Sequence, residues 1–169
     1  MGVEIERKFL VKPGAWERAV PQPMAQGYLV RGDAATVRVR VSGGHAWLTV
    51  KGRGDGLSRP EFEYGIPADE ARAMLAMVPG VVEKTRRRVP VGAHVWEVDV
   101  FEGENAGLVV AEVELTSPDE AFERPAWLGA EVTGVPRYYN SELSVRPFRM
   151  WSAAERAGKA AKAAKADEA

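Results

Sequence analysis

The chain has no cysteine and only two histidines, His45 and His94, among 169 residues. Disulfides and thiolate metal sites are thereby excluded, and nothing points to an oxidising compartment. A zinc site built on imidazoles would need more histidine than this. Any metal must be held mainly by carboxylates, which suits hard cations such as Mg2+ or Mn2+. Long apolar runs are missing as well. None approaches the ~20 residues of a membrane span, and Glu4, Glu6, Arg7 and Lys8 interrupt any signal core near the N-terminus. Met1-Gly2 does not open a myristoylation motif, because position 6 is Glu rather than Ser or Thr. Nor is there an excess of one charge. With 23 basic and 24 acidic residues the net charge is −1, which gives no reason to expect nucleic acid or a membrane as partner. A cytoplasmic protein is the default expectation.

What the sequence does have is period-two alternation, the mark of β-strands. Strands are predicted at about 3–11, 26–31, 36–42, 45–51, 59–66, 81–89, 94–101 and 109–116. Gly43-Gly44 reads as a tight hairpin turn between two of them. Pro67-Ala68-Asp69-Glu70 opens a helix running to about Met77, with Pro early and acids in the first turn, and Pro79-Gly80 stops it. Ser117-Pro118-Asp119-Glu120 predicts a second helix start, with Ser117 as N-cap. A short helix is expected after Asn140. From Ser152 the composition turns to Ala, Lys, Gly and acids with no large apolar residue. The chain therefore divides into one domain, 1–151, and a tail, 152–169, read as a frayed helix or disordered. Many strands, short loops and few helices predict a mainly β (α+β) fold, an antiparallel barrel or sandwich.

The charges on those strands are not ordinary. Residues i and i+2 share a strand face, roughly 7 Å apart. Like charges recur at that spacing: Glu4/Glu6, Glu61/Glu63, Glu97/Asp99 and Glu112/Glu114, then Arg38/Arg40 and Lys84/Arg86/Arg88. Lys8 continues the face of Glu4 and Glu6. Each such repulsion is about 0.6 kcal/mol in water and about 2.4 kcal/mol at an effective dielectric near 20. On a solvated sheet face this matters little. Inside a barrel it needs an offset, from cross-strand ion pairs, from divalent cations between carboxylates, or from a polyanion among the basic groups. The pattern alone leaves both readings open.

A resemblance separates them. Val3-Glu4-Ile5-Glu6-Arg7-Lys8-Phe9-Leu10-Val11 carries Glu-x-Glu-x-Lys on the first strand and resembles the opening of the CYTH domain, the triphosphate tunnel metalloenzyme superfamily. The rest follows in that family's order: Gln26-Gly27-Tyr28-Leu29, Val37-Arg38-Val39-Arg40, Leu48-Thr49-Val50-Lys51, Ser58-Arg59-Pro60-Glu61-Phe62-Glu63, Glu83-Lys84-Thr85-Arg86, Glu97-Val98-Asp99-Val100-Phe101, Val110-Ala111-Glu112-Val113-Glu114 and Arg137-Tyr138-Tyr139-Asn140. The match spans about residues 2–146. It implies an eight-stranded antiparallel β-barrel forming a charged tunnel. It further implies metal-dependent hydrolysis of a small-molecule triphosphate, with inorganic tripolyphosphate expected to give diphosphate and phosphate.

By the same resemblance, Glu4, Glu6, Asp99, Glu112 and Glu114 hold the metal, Mg2+ or Mn2+. Lys8, Arg38, Arg40, Lys51, Lys84, Arg86 and Arg137 bind the phosphates, while Glu61, Glu63 and Glu97 line the tunnel. Lys8 and Tyr28 match a pair proposed in small bacterial members to activate water. Such chemistry suits the residue types: Arg offers planar bidentate contacts, Lys a mobile point charge.

Other readings stay on the table. Thiamine triphosphatase or adenylyl cyclase activity belongs to the same fold, and no adenine pocket is readable. A non-catalytic polyphosphate or nucleic-acid binder finds support in Arg156, Lys159, Lys162 and Lys165 of the tail. Gly52-Arg53-Gly54-Asp55-Gly56 reads as a hairpin loop rather than a phosphate cradle, since a Pro-containing strand follows it and no helix. The five tryptophans read as packing residues. Oligomeric state, monomer or homodimer, is not legible.

Overall fold

The computed structural model describes residues 2–55 and 57–158, so the tail beyond Gly158, with Lys159, Lys162 and Lys165, lies outside the described residues. Nine strands form one antiparallel sheet: β1 Gly2–Val11, β2 Pro21–Arg31, β3 Ala35–Ser42, β4 His45–Gly52, β5 Ser58–Ile66, β6 Val82–Val91, β7 His94–Phe101, β8 Val109–Glu114 and β9 Leu128–Glu131. Their order is β5-β4-β3-β2-β6-β7-β8-β1-β9, and a further β5–β1 pairing closes the first eight into a ring. The helices are α1 Ala68–Met77, α2 Asn140–Leu143 and α3 Ala153–Arg156. No described helix is long and apolar enough to cross a membrane.

Closing the ring gives every strand an inner and an outer face, and here the polarity is inverted relative to a simple apolar core. On β1 the odd residues Ile5 and Phe9 point outward, into a cluster with Trp16, Trp96, Val98, Ala111, Val113 and Trp127. The even residues Glu4, Glu6 and Lys8 point inward. Edge-to-face contacts of Trp96 with Phe9 and Trp127, at 5.6 and 5.8 Å between ring centres, lock the outer cluster. A second outer cluster joins Val39 and Ala46 of β3 and β4 to Ala71, Met74 and Leu75 of α1. Gly27 permits that docking: a Cβ there would lie 2.6 Å from Val78 and 3.0 Å from Leu75.

At one end of the ring the inward positions change from charged to apolar. Val82, Phe101 and Val110 share the parity of Lys84, Asp99 and Glu112, yet they pack with Tyr138, Leu143 and Trp151. The segment 136–151 folds back over this end as a 3-10 turn, α2 and a second 3-10 turn, and the apolar cluster fills it.

Two expectations are corrected. No helix starts at Ser117-Pro118. The Glu120 carboxylate accepts hydrogen bonds from the amide and hydroxyl of Thr116, and Glu120 N–H donates to the Ser117 carbonyl, which closes a tight turn instead. The second strand begins at Pro21, not at 26. Residues 21–24 pair with β6 alone, since β3 pairing begins at Ala25, so Pro21 and Pro23 sit where a missing N–H costs no ladder bond.

Candidate active site

The ring encloses a cavity of about 750 Å³, lined by eight basic and seven acidic side chains. That volume lies within the roughly 300–1,000 Å³ of small-molecule sites. Glu4, Glu6, Lys8, Tyr28, Arg38, Arg40, Lys51, Glu61, Glu63, Lys84, Arg86, Glu97, Glu112 and Glu114 all line it, as alternation on each strand anticipates. Two expected residues do not. Asp99 shares the inward parity of Glu97 but is fully buried against Lys84 and Arg86, binding Lys84 Nζ at 2.6 Å and Arg86 Nε at 2.7 Å. Arg137 belongs to the apolar end: its guanidinium lies 4.9 Å from the Tyr138 ring centre and 5.6 Å from that of Trp151. Asp99 thus sets the positions of two lining cations, and Arg137 buttresses the segment that closes the ring.

Strand register decides which charges meet. Lys8 stands opposite Glu112, Arg86 opposite Asp99, Arg88 opposite Glu97 and Arg59 opposite Glu4. Opposed residues have Cβ atoms about 4.5–5.5 Å apart, so each pair relieves some like-charge repulsion along its strand. Lys8 Nζ reaches Glu112 at 2.9 Å. Burial disfavours the Lys8 charge, but Glu112 and Glu6 outweigh it and raise its pKa. Burial opposes the Glu112 charge, but Lys8, Arg86 and Lys84 outweigh it and hold its carboxyl far below the usual range. Lys84 differs. Burial dominates there and brings its ammonium down to about 8, although Asp99 opposes the shift.

The two halves of the wall are not equally satisfied. Arg86 is committed to Asp99, Glu97 and, at 3.7 Å, Glu112. Arg38 and Arg40 share a single carboxylate oxygen of Glu63, at 3.5 and 3.4 Å, and Arg38 has only Thr49 besides. Their Nε groups are buried and hydrogen-bonded to nothing among the described residues. Burial, with Arg38 next to it, lowers the Arg40 pKa. This corner has a surplus of positive charge on two guanidiniums that line the cavity, the property of an anion site.

Opposite in character is the meeting of β1 and β8. Glu6 and Glu114 are cross-strand neighbours. Burial, with the charges of Glu112 and Glu4, raises the Glu6 carboxyl to about 7, and burial with Glu4 and Glu97 raises Glu114. Four carboxylates here, Glu4, Glu6, Glu112 and Glu114, form an oxygen-only donor set of the kind hard divalent cations select, so the residues fit such an ion. They are not assembled around one point: among the described residues no three His, Asp or Glu side chains converge as a metal cage. The reason is that Glu4 and Glu112 are engaged by Lys51, Arg59, Lys8 and Arg86.

Tyr28 accepts a hydrogen bond from Gln26 Nε2 at 3.1 Å, and burial raises its pKa, so it is a neutral phenol. Sequence reading missed several contributors, His94 among them, and three of these sit beside the central charges. Arg59 lies on the Glu61/Glu63 face, where the i−2 position would have revealed it. Tyr139 sits 5.7 Å from Lys8 Nζ, and Asn140 accepts a hydrogen bond from Lys84 at 3.3 Å. Both were visible in the motif that ends the domain, though nothing in it assigns their contacts.

The family described as the CYTH domain matches residues 2–139, and the chain belongs to that family. Among its relatives, an inorganic triphosphatase of Acetivibrio thermocellus is 44% identical over 152 residues, covering 88% of this chain and 97% of that protein. One from Nitrosomonas europaea is 41% identical over 150 residues, covering 84% and 97%. The crystal structure of the inorganic triphosphatase NE1496 superposes with a TM-score of 0.63 at 35% identity, over 85% of this chain and 95% of that one.

Proposed function

We propose that this protein hydrolyses inorganic triphosphate to diphosphate and phosphate, with a divalent cation, Mg2+ or Mn2+, as cofactor. The observation that carries this reading is the Arg38/Arg40 corner, with two guanidiniums on one carboxylate and buried, unpartnered Nε donors inside a closed charged cavity. The names of the relatives point the same way. A bare triphosphate is favoured over thiamine or adenosine triphosphate because, among the described residues, the lining offers few aromatic surfaces, Tyr28, Tyr139 and the His94 ring, set among charged side chains.

The roles follow from the charges. The lining is nearly balanced, so a polyanion of about four to five charges enters favourably only with added cations, as metal-assisted phosphoryl transfer requires. A divalent ion supplies charge neutralisation and a more acidic bound water. Glu4, Glu6, Glu112 and Glu114 would hold it. Arg38 and Arg40 grip the phosphate chain in bidentate fashion, and Lys51 and Lys84 add mobile positive charge. Lys8, as an ammonium, cannot take a proton, so its part is to hold the terminal phosphate and the Tyr28 hydroxyl in one field. Tyr28 orients the attacking water. Water oxygen bonds to the terminal phosphorus as the bond to the diphosphate oxygen breaks, and the protons leave with the products and solvent.

The test is phosphate release from tripolyphosphate, thiamine triphosphate, ATP and diphosphate, with Mg2+, with Mn2+ and in excess chelator. Release is expected fastest from tripolyphosphate and lost in chelator. Full activity in chelator, or ATP as the preferred substrate, overturns the corresponding part of the reading.

A further inference from the structure

Glu4 joins the two charge sets of the cavity. Register places Arg59 directly across from it. Lys51 Nζ donates to both Glu4 oxygens, at 2.7 and 2.9 Å, and Arg59 Nε donates to Oε2 at 2.8 Å. Both oxygens are engaged, and two cations stand where a metal ion would approach. The same two cations reach further: Lys51 to Glu61 at 3.3 Å and Arg59 to Glu6 at 3.9 Å. Both stand at the cavity surface on long stems, so phosphate oxygens can receive them in place of Glu4.

We propose that Lys51 and Arg59 form a latch on Glu4 that the triphosphate opens: phosphate oxygens take over the two cations, and Glu4 is released to the divalent ion. A metal ion alone has to displace two charge-assisted hydrogen-bonding partners from the carboxylate, so it binds weakly. A triphosphate alone has to draw the cations from Glu4 and leave that carboxylate unpaired. Each ligand removes the cost the other meets, so the two bind with positive coupling, which is reciprocal by linkage. Glu112 is a poorer candidate for release. Lys8 opposite it is more deeply buried, and Arg86 is anchored by fully buried Asp99. The latch is therefore the element that keeps the metal carboxylates apart until substrate arrives. It rests on the reading of the cavity as a metal-dependent triphosphate site.

The test is the affinity of the metal-free protein for Mn2+ alone, read from the electron paramagnetic resonance of free Mn2+. Wild type is compared with Arg59→Met and Lys51→Met, which remove charge while keeping the stem. Each variant is expected to bind Mn2+ about tenfold more tightly than wild type, the lower end for a lost charge-assisted competitor. Adding Glu4→Gln to either is expected to cancel the gain. Arg40→Met, which lines the cavity without touching Glu4, serves as the control for a general loss of positive charge and is expected to shift affinity by less than about threefold, as screened charges do. Wild-type affinity in both latch variants, or an equal gain in Arg40→Met, overturns the latch. Thermal unfolding confirms that each variant is folded, and either latch variant alone decides the question. Phosphate release by wild type separates the two levels. If triphosphate is not hydrolysed with Mn2+ present, the underlying reading falls. If it is hydrolysed while the latch variants bind Mn2+ as wild type does, only the latch falls.

Discussion

Arg38 and Arg86 are chemically the same side chain two strands apart in function, and the structure predicts opposite consequences for removing them. Arg38 is held loosely, by Glu63 at 3.5 Å and Thr49 at 3.1 Å, with its Nε unpartnered. On the function proposed above, its remaining N–H donors are left to the triphosphate. Arg38→Ala is thus expected to raise KM for tripolyphosphate by about 10- to 150-fold, the equivalent of about 1.5–3 kcal/mol for a lost charge-assisted hydrogen bond. Its cost to stability should be small, since Glu63 keeps Arg40 and Thr49. Arg86 instead makes two hydrogen bonds to fully buried Asp99, at 2.7 and 2.8 Å, and bridges Glu97 and Glu112. Removing it leaves Asp99 with Lys84 alone and three carboxylates short of a shared cation. Breaking a buried ion pair in this way costs about 3–5 kcal/mol. At this chain length each kcal/mol moves Tm by roughly 2–4 °C, so Arg86→Ala should melt about ten degrees lower or fail to fold. The assay is thermal unfolding together with steady-state phosphate release for both variants. Equal losses of Tm, or a KM for Arg38→Ala within twofold of wild type, would refute the division between ligand-facing and wall-binding arginines.

Glu6→Gln is expected to raise the Tm of the chelated protein by several degrees at pH 8.5 and to leave it unchanged near pH 4.5. The sign follows from the shift: with a folded pKa of about 7, above the usual value, Glu6 contributes fully below the unfolded pKa and loses that contribution as pH rises through 7. An unchanged Tm at high pH would show that the Glu6 carboxylate is not repelled. Tyr28→Phe is expected to lower kcat by about 100-fold with little change in KM, the order of loss when a reacting group is misplaced by about 1 Å. A kcat within a few-fold of wild type would instead make Tyr28 a packing residue and Lys8 only a phosphate clamp.

The ring strands were legible because alternation is a local signal, and a closed ring imposes it on every strand: Val37, Val39 and Val41 against Arg38 and Arg40 is the clearest case. β9 was not. Leu128-Gly129-Ala130-Glu131 has no alternation, and it exists only because β1 shifts register between Phe9 and Val11 and offers it an edge. The same limit explains the site. Residues on ring strands were placed by parity alone. Arg59 escaped as the single positive residue on an otherwise acidic face, although its parity was the same. Arg137 lies on a 3-10 turn, where one residue's step is about 120° and no face is fixed by alternation. Its partners, Tyr138 and Trp151, are set by how the final segment folds over the ring end, which is a tertiary fact.

That ring end bears on how a protein can keep so many charges inside. The inward row of β6 runs Val82, Lys84, Arg86, Arg88, and that of β7 runs Phe101, Asp99, Glu97. Each begins apolar and ends charged. Where the rows are apolar, Tyr138, Leu143 and Trp151 pack on them and exclude water. Just above, Lys84 and Asp99 are fully paired, and Lys84 gains Asn140 from the closing segment. Further out, pairing loosens to the shared Glu63 of Arg38 and Arg40. Along this wall, desolvation is therefore steepest where ion pairing is best. The outer clusters around Trp96 and α1 carry the stabilising burial, at about 25 cal/mol per Å² of apolar surface, independently of the cavity. This separation lets part of the inner wall, the Arg38/Arg40 corner, keep loosely paired charges while the Arg86–Asp99 pair contributes to stability.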